Sequence, residues 1–241
     1  MLEFIAAWRR VLIGMAICRW FAAIMVAFCC ALPAYAGEAE WRMLHEQTDL
    51  HFQHGNLEQA ELFAREALRE AEASMGKNHR ATELSLGKAA FILRLRGKHE
   101  EALGLAVRAV EVSTRLHGAD DTHTALALQN QAEVLFAQKK YGAAEQLHRT
   151  AFAIFEKRNG VKNFQTATSL HNIGTMLLAQ DKYLEAERFL RRALAVKEQV
   201  LKPDHRSIAH TLNNLVLVLE AQNKNDEAAK FRRRSEAFKT K

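Results

Sequence analysis

Apolar residues along this chain recur with helical spacing. Leu170, Ile173 and Leu177 fall on one face of a helix, and Ala186, Phe189, Leu190, Ala193 and Leu194 fall on one face of a second. A polar turn at Asp181–Lys182 separates the two runs. Pro203 sits in the loop LKPDHR, where it removes no helical hydrogen bond. No segment alternates with strand periodicity over a comparable length, so the expectation is an all-α chain.

The same pattern returns along the sequence. The segments GNLEQA, GKHEEA, KKYGAA, DKYLEA and NKNDEA end on Ala60, Ala102, Ala144, Ala186 and Ala228, spaced by 42 residues four times without a slip. Leu44, Leu86, Leu128, Leu170 and Leu212 keep the same period, as do Ala67, Ala109, Ala151 and Ala193. Gly76, Gly118 and Gly160 mark successive loops between units, and small residues recur where two helices must approach closely, at Ala90, Ala132 and Gly174. One helix pair cannot bury its apolar stripe alone, so neighbouring units must stack and share a core. The last unit reads as a terminal cap. It keeps Ala228, Phe231 and Phe238 but places Arg232 and Glu236 where the preceding unit has Leu190 and Leu194.

These residues resemble the tetratricopeptide repeat (TPR), in the 42-residue form of kinesin light chains. The match is strongest over LKPDHRSIAHTLNNLVLVLEAQNKNDEA and ATSLHNIGTMLLAQDKYLEAERFLRRALAVKEQVL. The resemblance implies a right-handed α-solenoid of about five helix-turn-helix pairs, with repeats at about 41–82, 83–124, 125–166, 167–208 and 209–241. Lys202 stands where the family has glycine, Arg206 replaces the second proline of its loop, and VKNFQT lacks the loop's Asp-His pair. These departures bear on loop shape and not on the fold.

The resemblance also implies that first helices line a concave groove. Helical geometry then turns Leu212 and Leu215 toward the second helix, and Asn213, Asn214 and Leu217 away from it. One column on that wall runs Glu46, Lys88, Asn130, Asn172, Asn214, and its neighbour runs His45, Gly87, Gln129, His171, Asn213. A carboxamide both donates and accepts, so a line of them can hold the C=O and N–H groups of an extended peptide. Under this reading Lys88, Asn130, Asn172, Asn214, Gln129, His171 and Asn213 line the peptide-binding wall, and its carboxamides hold the backbone. Arg94, Glu133, Phe136, Thr175 and Leu178 select side chains. The same asparagines could instead bond to the neighbouring helix and fix the stacking, and the two roles are compatible.

The N-terminus changes the setting. Arg9, Arg10 and Arg19 precede the 13 apolar residues Trp20–Leu32, and Ala34 and Ala36 follow Pro33. That is the order of a secretory signal peptide, with an apolar run too short to span a membrane. The expectation is a signal at 1–36, cleavage after Ala36, and a solenoid over 37–241 in the periplasm or outside the cell. Retention of the segment as an anchor is the alternative, which Arg19 opposes. Cys18, Cys29 and Cys30 all lie inside the segment, so the remainder has no thiol for disulfides, catalysis or metal. Removing three arginines and Glu3 takes the net charge from +6 to +4, with both signs interspersed, which disfavours nucleic acid as a partner.

Other chemistry is sparse. The chain shows no nucleophile elbow, Gly-rich phosphate loop or paired carboxylates, so neither an enzyme nor a cofactor is expected. His45, Asp49, His51 and His54 share the first helix, but they lack the HExxH pattern and no metal is assigned to them. His117 and His123 flank GADDT, whose acids are expected to cap helices. KFRRRSEAFKTK closes the chain with six basic residues, suited to a solvated helix end or to contact with an anionic surface. The expected function is that of a protein or peptide adaptor. The alternative is an accessory subunit that docks through its convex face or its basic end.

Overall fold

The computed structural model describes residues 36–238; the expected signal segment lies outside these residues, apart from Ala36. The described chain forms five antiparallel helix pairs. They are α1 (36–53) with α2 (Leu57–Ser74), α3 (Arg80–Leu95) with α4 (His99–His117), α5 (Thr122–Ala137) with α6 (Tyr141–Asn159), α7 (Phe164–Leu178) with α8 (Tyr183–Val200), and α9 (Arg206–Ala221) with α10 (Asn225–Glu236). Each helix from α2 onward packs on the next, and first helices approach each other directly, α3 on α5 and α7 on α9, as helices inside a curved stack do. The expected repeat boundaries fall within the first turns of α3, α5, α7 and α9; the period holds and its phase shifts by a few residues.

The turns explain the register. Within each pair, positions 55, 97, 139, 181 and 223 adopt positive φ, with glycine at the first two and Lys139, Asp181 and Asn223 at the others. The next residue's N–H then bonds back to a carbonyl of the first helix's last turn, as in Lys98 to Leu93 at 2.9 Å and Lys182 to Leu177 at 3.0 Å, closing the helix end. Between pairs, the side chains of His79, Asp121, Asn163 and His205 each accept a hydrogen bond from the backbone N–H two residues on, capping α3, α5, α7 and α9. The buried hydroxyls of Thr82, Thr124 and Thr166 donate to the carbonyls of Gly76, Gly118 and Gly160 at 2.7, 2.8 and 2.9 Å.

The fourth loop departs from this scheme where the sequence does. Lys202 replaces the glycine and Ile208 replaces the threonine, so the hydroxyl tether is gone. Lys202 takes no positive φ, and Leu201 turns extended instead, at φ −115° and ψ 158°. Asn163 caps α7 in place of an Asp-His pair. The three sequence departures thus alter a loop and a cap, and the stack continues.

Packing follows the apolar columns. Ile173, Leu177, Ala186, Leu190, Leu194, Ile208, Leu212, Leu215 and Val218 form one core across the last two pairs. A Cβ added at Gly174 would lie 2.6 Å from Leu190 Cγ, so the glycine makes room for the leucine. Two pairs of helices earlier in the stack, Ala90 and Ala106 share a cluster. Volume is therefore exchanged across the helix pair from repeat to repeat. Polar ties repeat as well. Glu187 accepts from Arg191, Gln222 and Lys224, and Glu61 and Glu145 do the same with Arg65, Arg96 and Lys98, and with Arg149 and Gln180. Leu103 holds that position in α4 and packs against two apolar clusters instead. At the C-terminal end Arg232 and Glu236 are exposed while Ala228 is buried, as a cap requires.

Candidate peptide-binding groove

Helical phase sorts the first helices as expected. In α9, Leu212 and Leu215 are buried while Asn213 and Leu217 are exposed and Asn214 is half-buried. The column of Lys88, Asn130, Asn172 and Asn214 forms one line, and each member reaches back to the preceding first helix. Lys88 pairs with Asp49. Asn130 Nδ2 donates to the Gly87 carbonyl at 2.9 Å, Asn172 Nδ2 to Glu133 Oε1 at 3.5 Å, and Asn214 Nδ2 to Thr175 Oγ1 at 2.8 Å. Phe91 explains the one change of partner. It occupies in α3 the position held by Glu133 and Thr175 in α5 and α7, and it offers no acceptor, so Asn130 turns to the backbone.

The neighbouring column reaches forward. Gln129 Nε2 donates to Ser169 Oγ at 2.9 Å, His171 Nδ1 lies 3.1 Å from Thr211 Oγ1, and Asn213 Oδ1 accepts from Ser235 Oγ at 2.5 Å. Gln129 and His171 are thus joints between repeats, whereas Asn213 ties α9 to its own partner α10. The Oδ1 atoms of Asn130, Asn172 and Asn214 have no hydrogen-bond partner among the described residues, so each carboxamide retains an acceptor on the groove side. Arg94 stacks its guanidinium over Phe91, 5.3 Å from the ring centroid, with a buried Nε that has no hydrogen-bond partner among the described residues.

A cleft opens along the groove between α3 and α5. It holds about 260 Å³ and is lined by Leu84, Gly87, Lys88, Leu126, Ala127 and Asn130, among others. Leu84 and Leu126, one period apart, remain 44% and 48% exposed. Gly87 keeps the floor low, since the nearest atom to an added Cβ is Asn130 Nδ2 at 3.7 Å. The sequence columns contained this site. Two leucines one period apart flank a first-helix glycine on the outward phase, and their exposure was the missing signal.

A second polar set is buried under the groove toward the C-terminus. Lys197 is 1% exposed and donates to Thr211 Oγ1 at 2.9 Å and to the Ser207 carbonyl at 3.3 Å, with no carboxylate partner among the described residues. Burial pushes its pKa down to about 8. His171, beside it, is pushed down to about 3, chiefly by burial and then by the Lys197 charge, and is neutral under ordinary conditions. His148 is fully buried in α6, with Nε2 3.6 Å from Glu133 Oε1.

The first-repeat histidines do not gather. His51 stacks on Phe63 at 5.2 Å, and the His45, Asp49, His51 and His54 set supplies no three converging donor atoms among the described residues. In the basic C-terminal segment, Arg232 pairs with Glu220 and Arg234 with Glu198, which neutralises part of its charge.

Stacked helix pairs with a groove along their first helices define an α-solenoid. A tetratricopeptide repeat family model matches residues 81–157 and 165–241, and the chain belongs to that family. No curated protein matches the chain. Among solved structures, a kinesin light chain candidate of Podosopora anserina with nearly identical TPR-like repeats is similar at 18% identity and TM-score 0.69, over 82% of this chain and 94% of that one. BtubC (BKLC) from P. vanneervenii is similar at 17% identity and TM-score 0.68, over 88% and 91%. A Rap protein complexed with Competence and Sporulation Factor is similar at 16% identity and TM-score 0.69, over 81% of this chain and 52% of that one.

Proposed function

We propose that this chain is a non-catalytic adaptor that captures an extended peptide or a partner's tail along its first-helix groove, in the envelope or exterior of a bacterial cell. The observation that carries the reading is the cleft between α3 and α5. It places two exposed leucines next to Lys88 and Asn130 at a point where the groove floor is a glycine. Apolar side chains of the ligand would enter between Leu84 and Leu126, and its backbone N–H groups would meet the free asparagine acceptors. The solved complex of a Rap protein with Competence and Sporulation Factor supports a ligand-binding role for a stack of this shape. The order of basic, apolar and small residues over 1–36 supports export.

A photo-crosslinking residue at Leu126, compared with one at the exposed second-helix position Arg188, tests the reading in cells of the native host. A discrete adduct from Leu126 alone is expected. Adducts from Arg188 alone would refute groove capture and favour an accessory subunit that docks through its outer face.

A further inference from the structure

Three side chains break the repeat pattern at one place, the junction of α4 and α5. Glu83 stands in a column that otherwise holds Trp41, Ala125, Ala167 and Ala209; His117 in one that holds Met75, Asn159 and Leu201; His123 in one that holds Ala81, Gln165 and Ser207. The loop does not require them, because the same cap and the same threonine-to-glycine bond form at the starts of α3 and α7 without them. Nevertheless the three converge. His117 Nε2 lies 2.9 Å from Glu83 Oε2, and His123 Nδ1 lies 2.8 Å from Asp121 Oδ1. The two imidazoles stack with centroids 4.3 Å apart at 23°. One donor atom each from His117, Asp121 and His123 lie within 4.8 Å of one another. Asp121 spends only Oδ1 on capping α5, and its Oδ2 has no partner among the described residues.

We propose that this cluster binds a divalent transition-metal ion of the zinc class. His117, His123 and Asp121 are the ligands. Glu83, buried behind His117, accepts from the ring nitrogen that does not face the metal and thereby fixes the tautomer and orientation of that ligand. Two imidazoles and one carboxylate favour a borderline ion over calcium or magnesium, which prefer all-oxygen sites. Tetrahedral bonds of roughly 2.0–2.1 Å bring ligand atoms to about 3.4 Å apart. The present spacing therefore has to contract, and His123, whose side chain is 46% exposed, is free to rotate inward. Water fills the remaining position. The ion would bridge the end of α4 and the start of α5, joining the second and third repeats beside the cleft that Glu83 and His123 also line.

The test is calorimetric titration of untagged protein, stripped with chelator, with zinc chloride, repeated by absorption with Co²⁺. One ion per chain is expected. His117→Ala and His123→Ala should each weaken binding on the order of 100-fold or more, and Glu83→Gln by about 10- to 100-fold, the range for a group that orients a ligand. The double variant His51→Ala/His54→Ala should bind as wild type does. Zinc should raise the melting temperature of wild type and leave that of His123→Ala unchanged. Undiminished one-to-one binding in His123→Ala, an exposed change that leaves the core intact, would overturn the site. So would wild type binding no more tightly than that variant.

Discussion

Replacing Lys197 with methionine should stabilise this protein, by an amount that falls as the pH rises. Lys197 occupies the α8 position held in α2, α4 and α6 by Ala71, Ser113 and Phe155, all fully buried. Its ammonium meets two neutral oxygens and no acid among the described residues. Burial lowers its pKa from 10.5 to about 8. At about 1.4 kcal/mol per unit, that shift corresponds to roughly 3 kcal/mol lost by keeping the buried group charged. Below pH 8 both the folded and unfolded chains hold the proton, so the whole penalty is present. Between pH 8 and 10.5 the folded chain releases the proton and the unfolded chain keeps it, so stability rises with pH. Methionine matches the length and flexibility of the lysine stem without the charge. Thr211 keeps the Ser207 carbonyl and His171 Nδ1 as partners, so the loss is about 1 kcal/mol of hydrogen bonding. The net gain expected at pH 7 is about 2 kcal/mol. It should be read as a higher urea midpoint by circular dichroism and slower amide exchange in α8 and α9, and it should vanish by pH 10.5. A Lys197→Met protein that is less stable at pH 7, or more stable by the same margin at both pH values, would refute the argument.

Three further outcomes are expected. His171 stays neutral in the fold down to about pH 3, whereas unfolded histidine takes its proton near pH 6.5. The unfolded chain therefore binds more protons as pH falls below 6.5, and stability should drop by about 2 kcal/mol between pH 7 and pH 5. His171→Gln, which copies the Gln129–Ser169 bond one repeat earlier, should flatten that part of the pH profile in denaturant titrations. Lys139→Gly should stabilise by about 0.5–1 kcal/mol, because Lys139 is exposed and holds a φ of 61° that glycine adopts without strain; a lower melting temperature would contradict this. Gly174→Ala should destabilise by about 1–3 kcal/mol through overpacking on Leu190. Adding Leu190→Ala should then cost less than it does in wild type, a coupling that thermal melts of the four proteins measure.

Most of the fold was legible because a repeat carries its own alignment. The 42-residue spacing placed the turns, the close-approach positions Ala90, Ala132 and Gly174, and the polar cap at Arg232 and Glu236, and each is where the columns put it. The asparagine line was legible as a line, but its partners were not. Whether Asn130 reaches a side chain or a backbone carbonyl depends on helix-to-helix offset and on Phe91 standing where its sister helices have acceptors. The capping column was legible only at Asp121, among the acids of GADDT, and its other members were hidden for a different reason. His79, Asp121, Asn163 and His205 differ in type while doing the same work, and chemical dissimilarity hides a shared geometry.

The same internal alignment separates what the fold needs from what this chain has added. A column states what the stack tolerates at a position, so a departure that is buried and hydrogen-bonded calls for its own explanation. Lys202 and Ile208 depart together and are explained locally, since the glycine and the threonine act as one tether and are lost as one. Lys197 and His171 both meet the Thr211 hydroxyl and are explained as a polar joint that acid weakens at the histidine and alkali relieves at the lysine. Glu83, His117 and His123 find no such local account. Their counterparts in other repeats do without them, and all three meet with Asp121 at one junction. That contrast is what turns a histidine-rich loop into a defined site: the repeats that lack these side chains form the same loop, so the groups are free to serve an ion.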